Sequence, residues 1–129
     1  MILLDTHVLV WLAAERERLS AAALEAVESA TEPAICLVSI QEISYLAARG
    51  RLRMDRPVDT WIGDALGVLG ARALPPTVSI SIRAGSLDPQ DFHGDPIDRL
   101  IYATAVEHDA RLVTADERLR QFDPERTVW

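Results

Sequence analysis

The sequence predicts an α/β fold, a central parallel sheet flanked by helices. Three observations predict it. Short apolar runs of strand length recur at Ile2–Leu4, Ala34–Val38, Ala73–Leu74 and Arg111–Thr114. Segments with apolar residues at helical spacing separate them. The run Ala34–Val38 is β-branched and carries no charge, as strands covered on both faces do. Strands that alternate with helices build a parallel sheet with helices on both faces.

Taken in order, Ile2-Leu3-Leu4 is a buried first strand that ends at Asp5-Thr6. His7 to Ala14 is helical, closed by polar Glu15-Arg16-Glu17-Arg18. Ser20 is the N-cap of a helix over 21–30, with Ala23, Leu24 and Val27 on one face. Pro33 punctuates before the second strand. Ser39 then caps Ile40–Ala48, and Ser39 with Glu42 matches the Ser-x-x-Glu capping box. Gly50 ends that helix. Pro57 and Asp59 open another, running to about Leu69, and Ala73-Leu74 is a short strand. In 78–84 the Ser-Ile-Ser-Ile alternation resembles a strand, but a short helix is the reading adopted. Residues 86–94 form a polar loop. Asp95 caps a helix to about Asp109, with Pro96 in the first helical position, where no amide hydrogen is needed. Arg111–Thr114 is the next strand, Glu117–Gln121 a short helical turn, and Thr127–Trp129 a last edge strand.

At 129 residues the chain reads as one domain with length enough for a sizeable core. Its 49% hydrophobic content argues against disorder. No apolar run reaches membrane-spanning length, and Met1–Asp5 lacks a signal-peptide pattern, so no membrane association and a cytoplasmic location are expected. The single Cys36 cannot form an internal disulfide and reads as a small core residue. A net charge of -7 argues against binding nucleic acid by bulk phosphate neutralisation. It leaves open a protein whose acids are concentrated on a metal. All thirteen basic residues are arginine. The absence of lysine excludes P-loop nucleotide binding, Schiff-base chemistry and a lysine-dependent phospho-acceptor site.

In parallel sheets, ligands bind outside the carboxyl ends of the strands. Four acids come from elements that converge on that edge. Asp5 ends strand one, Glu42 lies on the helix after strand two, Asp98 lies at the start of the Asp95 helix, and Asp116 follows the Arg111 strand. Asp98 shares a helix face with Ile101, Tyr102 and Ala105, so it points toward the buried side, where an unpaired carboxylate is costly. Plainer roles exist for each. Glu42 can close its capping box, Asp116 can start a turn and Asp95 can cap its helix. Crowded carboxylates persist if they share protons or bind a cation. An all-oxygen acidic site suits Mg2+ or Mn2+, and the chemistry then points to metal-assisted cleavage of a phosphodiester. His7 is close enough to Asp5 to line such a site; His93 and His108 show no two-histidine metal spacing and read as polar surface or loop residues. Trp11, Trp61 and Trp129 are scattered and read as packing residues. Arg49, Arg51, Arg53 and Arg56 form a basic patch, either a solvated turn or a contact for RNA or a partner. Arg99 turns about 100° from Asp98 around the helix and is expected to support substrate or partner.

Four segments together resemble the PIN domain. They are Met1-Ile-Leu-Leu-Asp-Thr-His7, Ser39-Ile-Gln-Glu42, Asp95-Pro-Ile-Asp-Arg-Leu-Ile-Tyr-Ala-Thr-Ala105 and Leu112-Val-Thr-Ala-Asp116. Their order and intervals are most similar to the VapC-type toxins of bacterial toxin–antitoxin pairs. The resemblance spans nearly the whole chain and implies a single PIN-like domain over 1–129, with a three-layer fold. It implies a Mg2+-dependent endoribonuclease, with Mn2+ able to substitute. It also implies a VapB-type antitoxin that covers the site, and a homodimer. Asp5, Glu42, Asp98 and Asp116 fall on the family's acidic positions, and Asp5 and Asp98 match the pair most often assigned to the metal. Glu42, Asp116 and Asp95 are further candidate ligands; Asp95 stays open between ligand and helix cap. Thr6 and Thr114 match hydroxyl positions beside the acids. One departure is His7, which stands where Asn is common. Two rival readings are a catalytically silent PIN-like module that binds RNA or a partner, and a metal-dependent phosphatase.

Overall fold

The computed structural model describes residues 1–129. Five strands form one sheet: β1 (Ile2–Leu4), β2 (Pro33–Cys36), β3 (Arg72–Leu74), β4 (Arg111–Val113) and β5 (Thr127–Val128). Their order is β3-β2-β1-β4-β5, and every pairing is parallel. Seven helices connect them: α1 (Thr6–Ala14), α2 (Ala21–Glu28), α3 (Leu37–Ala48), α4 (Val58–Leu69), α5 (Val78–Ser86), α6 (Pro96–Glu107) and α7 (Glu117–Phe122). A 3-10 turn at Arg16–Arg18 follows α1.

The pleat sorts the strand residues into two layers, because successive side chains point to opposite faces. Leu3, Ala34, Cys36 and Leu112 join Ile101, Tyr102 and Ala105 of α6 and Leu119 of α7. Leu4, Val113 and Val128 face the other way, onto Val8 of α1 and Ala23 and Val27 of α2. Ile35 completes that side with Leu9, Ile43, Trp61 and Ile62, which brings in α3 and α4. The chain is therefore a helix–sheet–helix sandwich, as its alternation of elements predicts. Leu4 and Leu112 are wholly buried, so truncating either to Ala would cost about 2–5 kcal/mol.

The segment with strand-like alternation is helix α5. The Thr77 hydroxyl accepts from the Ile80 amide at 3.2 Å and caps it. Ile80 and Ala84, four apart, pack on Ala103 of α6, while Ile82 stays exposed. Helix packing on one side overrides the period-two pattern.

The expected start of α3 is corrected. The helix begins at Leu37, two residues before Ser39, and the strand stops at Cys36 rather than Val38. Ser39 lies inside the first turn, wholly buried, with its hydroxyl 2.9 Å from the Thr6 hydroxyl. There is no Ser39–Glu42 capping box; packing of Val38 and Ser39 against the sheet and α1 sets the boundary. Gly50 closes α3 as expected, at φ +67°, with the Gly50 amide on the Ala47 carbonyl and the Arg51 amide on that of Leu46.

Candidate functional site

The central pair β1–β4 sets the position of the site. Leu4 sits beside Val113, so the next residues, Asp5 and Thr114, emerge side by side at the carboxyl edge of the sheet. The Asp5 amide donates to the Val113 carbonyl at 3.0 Å, which carries the ladder one step past the strand. Asp5 is nearly inaccessible, at 3% exposure. Its Oδ1 accepts from the Thr6 amide at 2.7 Å, as the N-cap of α1. Its Oδ2 accepts from the Thr114 hydroxyl at 2.6 Å. Thr114 in turn accepts from the Asp116 amide at 3.0 Å, so one hydroxyl links two of the acids. The Thr114 hydroxyl thus lies against Asp5, while Thr6 meets Asp5 through its amide and turns its hydroxyl to Ser39 Oγ at 2.9 Å.

Asp5, Glu42, Asp98 and Asp116 all line one open cleft of about 300 Å³, with Thr6, His7 and Trp11. Glu42 reaches it from the second turn of α3. Asp98 reaches it from the first turn of α6, because that helix runs back toward the amino edge and leaves its start at the carboxyl edge. Asp116 arrives as the N-cap of α7, with Oδ1 on the amides of Arg118 and Leu119. Asp95 does not line the cleft. It is exposed and caps α6, with Oδ1 accepting from the Ile97 amide at 2.9 Å and the Asp98 amide at 3.4 Å.

The acids perturb one another. Asp98 is pushed from an ordinary pKa of 3.8 up to about 8, by burial first and then by the charges of Asp5, Asp95, Asp116 and Glu42. Glu42 is also raised, by burial; a hydrogen bond with Thr6 opposes the shift and Asp5 adds to it. The donor set fits a hard divalent cation, because several carboxylates converge where a full set of negative charges is unfavourable.

Two histidines lie against these acids. His7 lines the cleft as expected: Nε2 accepts from the Ala115 amide at 2.9 Å, which leaves the ring proton on Nδ1, 3.6 Å from Asp5 Oδ2. His93 lies in the loop before α6, within the expected surface-or-loop reading, but it is largely buried there: its side chain is 11% exposed and Nε2 lies 3.4 Å from Asp98 Oδ2. His93, Asp98 and Asp116 bring one donor atom each to within 4.8 Å of one another. Spacing between histidines could not reveal this; the apolar Leu87 and Phe92 inside a polar loop were the available signal.

Arg99 turns inward. Its guanidinium donates to the carbonyls of Leu87 at 2.9 Å, Ala84 at 3.2 Å and Phe92 at 3.4 Å. Three of its five N–H donors are thus engaged inside the chain, where they fasten the segment before α6. Trp11 and Trp129, far apart in sequence, have ring centroids 5.8 Å apart, and Trp11 lies 4.8 Å from His7, while Trp61 is a core residue. In the basic patch, Arg56 pairs with Asp55 and Asp64, and Arg49 covers the Tyr45 ring.

Residues 2–124 match the family model of the PIN domain. The chain is 45% identical over 130 residues to Ribonuclease VapC22 of Mycobacterium tuberculosis (strain ATCC 25618 / H37Rv), across 99% of this chain and 98% of that protein. A toxin–antitoxin complex from Klebsiella pneumoniae has a chain of similar fold, with TM-score 0.70 and 22% identity, over 100% of this chain and 97% of that one. VapBC2 from Rickettsia felis, bound to a DNA fragment from their promoter, gives TM-score 0.72 and 15% identity, over 98% and 97% of the two chains. At such identities the likeness is one of fold. The family match and the full-length relative go further, and with four acids gathered at one sheet edge the chain belongs to the PIN-domain family, among its VapC-type members.

Proposed function

We propose that the protein is a divalent-metal-dependent endoribonuclease, the toxin of a type II toxin–antitoxin pair. The observation that carries this reading is the convergence of Asp5, Glu42, Asp98 and Asp116 on one cleft at the carboxyl edge. The full-length relative named a ribonuclease supports RNA as the substrate class.

Asp5 and Asp98 would hold a Mg2+ or Mn2+ ion, with Glu42 and Asp116 completing the acidic wall. When bound, such an ion supplies a lowered pKa for a bound water and stabilises charge on a phosphoryl group. The chain's own residues prepare the site. The Thr6 amide and Thr114 hydroxyl hold the Asp5 carboxylate in one orientation. Such outer partners preserve ligand geometry. Asp98 holds a proton near neutral pH while no cation offsets its neighbours, and gives it up when one does. Glu42, pushed in the same direction, is suited to accept a proton from an attacking water.

The partner is a VapB-type antitoxin. Support comes from the structural neighbours, described as toxin–antitoxin or VapBC complexes. A homodimer is the proposed assembly, and Val78 and Ile82, exposed four residues apart on α5, offer an apolar face for it. No helix is long and apolar enough to cross a membrane.

The test is a side-by-side assay of single-stranded RNA, structured RNA, DNA and a phosphomonoester with Mg2+ or Mn2+. Internal cleavage of RNA alone is expected. Turnover confined to the monoester would replace the reading with a phosphatase, and binding of RNA without cleavage by any metal form would replace it with a silent module.

A further inference from the structure

We propose that His93 is itself a metal ligand, through Nε2, alongside Asp98 and Asp116, and that its nitrogen favours Mn2+ over Mg2+. This rests on the divalent-ion reading above and adds a residue and a metal preference to it.

The first observation is an unmet hydrogen-bonding atom. His93 Nε2 is completely buried and has no hydrogen-bond partner. Burying such an atom unpaired is costly, and native proteins rarely do it without a reason. The obvious partner, Asp98 Oδ2, lies at 3.4 Å, beyond the usual N–H···O range of about 2.7–3.2 Å. That distance suits two donors on one ion. Ligand bonds of about 2.1 Å put neighbouring donors about 3.0 Å apart and opposite ones about 4.2 Å. The three atoms of His93, Asp98 and Asp116, within 4.8 Å of one another, need only a small shift at one side chain to meet that condition.

The second observation is that the ring is held in place. His93 stacks on Phe92 with centroids 4.8 Å apart and planes at 19°. Phe92 is 2% exposed, edge-on to Phe122 and tilted against Tyr102. The Phe92 amide closes a turn onto the Asp88 carbonyl at 2.8 Å, and the Phe92 carbonyl accepts from Arg99. A polar loop is thus pinned at the residue next to His93, by the arginine that follows Asp98. A histidine meant for solvent would not need that anchorage.

The chemical consequence follows from donor type. Mg2+ is hard, takes oxygen and retains its waters; Mn2+ shares its taste for carboxylates but, as a first-row transition ion, accepts a nitrogen donor more readily. One nitrogen among carboxylates shifts preference without excluding Mg2+.

The test uses the full chain. Pulsed EPR of the Mn2+-loaded protein should show imidazole-nitrogen modulation, retained in His7→Gln and lost in His93→Gln. Calorimetric titration should show the Mn2+-to-Mg2+ affinity ratio falling about tenfold in His93→Gln, with Mg2+ affinity little changed. Urea unfolding checks that the variant folds, and the wild-type spectrum decides even if it does not. Mn2+ binding without imidazole modulation in the wild type would overturn the role of His93 and leave the carboxylate site standing. Modulation that survives in His93→Gln would overturn it as well. If neither ion binds the wild type, the divalent-ion reading fails and this proposal with it.

Discussion

The Thr114 hydroxyl donates to Asp5 Oδ2 at 2.6 Å, joining residues 109 apart in sequence across the parallel pair β1–β4. Both are buried, and the same hydroxyl accepts from the Asp116 amide. Thr114→Val keeps the shape and removes this junction. The Asp5 carboxylate would lose a donor in a buried setting, at a cost of about 1–3 kcal/mol in stability. Loss of such an outer partner should weaken divalent-ion affinity by about 10–100-fold. Urea unfolding and Mn2+ titration check both; Thr114→Ser should retain most of each.

Asp98→Asn separates charge from shape. With its pKa pushed from 3.8 to about 8, Asp98 in the folded chain keeps a proton that the unfolded chain has released across that window. The folded state then binds more protons, so stability falls as pH rises through the window. Glu42 acts in the same direction. Metal-free Asp98→Asn should therefore be at least as stable as wild type near neutral pH, by about 1 kcal/mol or more, one pKa unit being about 1.4 kcal/mol. Its stability should also fall less steeply with pH. Thermal unfolding in EDTA at several pH values measures this. Destabilisation by several kcal/mol would make Asp98 a structural cap instead.

Metal should reverse that ranking. An ion that binds only the folded wild type adds about 2.7 kcal/mol at a free concentration of a hundred times Kd. Asp98→Asn should gain far less. EDTA should abolish RNA cleavage, and Mg2+ or Mn2+ should restore it. Full turnover in metal-free buffer would remove the proposed mechanism.

Arg99→Met should loosen the 84–94 segment. Three carbonyls lose a charged donor, and hydrogen bonds to charged groups contribute about 1.5–3 kcal/mol. A stability loss of about 2 kcal/mol is expected, with faster amide exchange over Leu87–His93. Unchanged exchange there would assign the loop's order to Phe92 packing alone.

Much of this protein is determined locally. The kind and order of the elements are legible because apolar period and strand length act over a few residues, as in Ile2–Leu4 and the Asp95-Pro96 helix start. The carboxyl-edge rule then brings Asp5, Glu42, Asp98 and Asp116 to one side, since a parallel sheet aligns every strand end. Tertiary structure decided what local rules cannot weigh. Helix α3 starts at Leu37 because Ser39 meets Thr6, a contact 33 residues away. The arc between Arg99 and Asp98 follows from helix geometry, but the carbonyls waiting there belong to the last turn of α5 and to a following loop with no periodicity of its own. His93 lies in that loop, beyond any spacing rule. Its place beside Asp98 depends on Phe92 finding the core and Arg99 fastening the chain behind it, long-range contacts that form only when the whole fold is assembled.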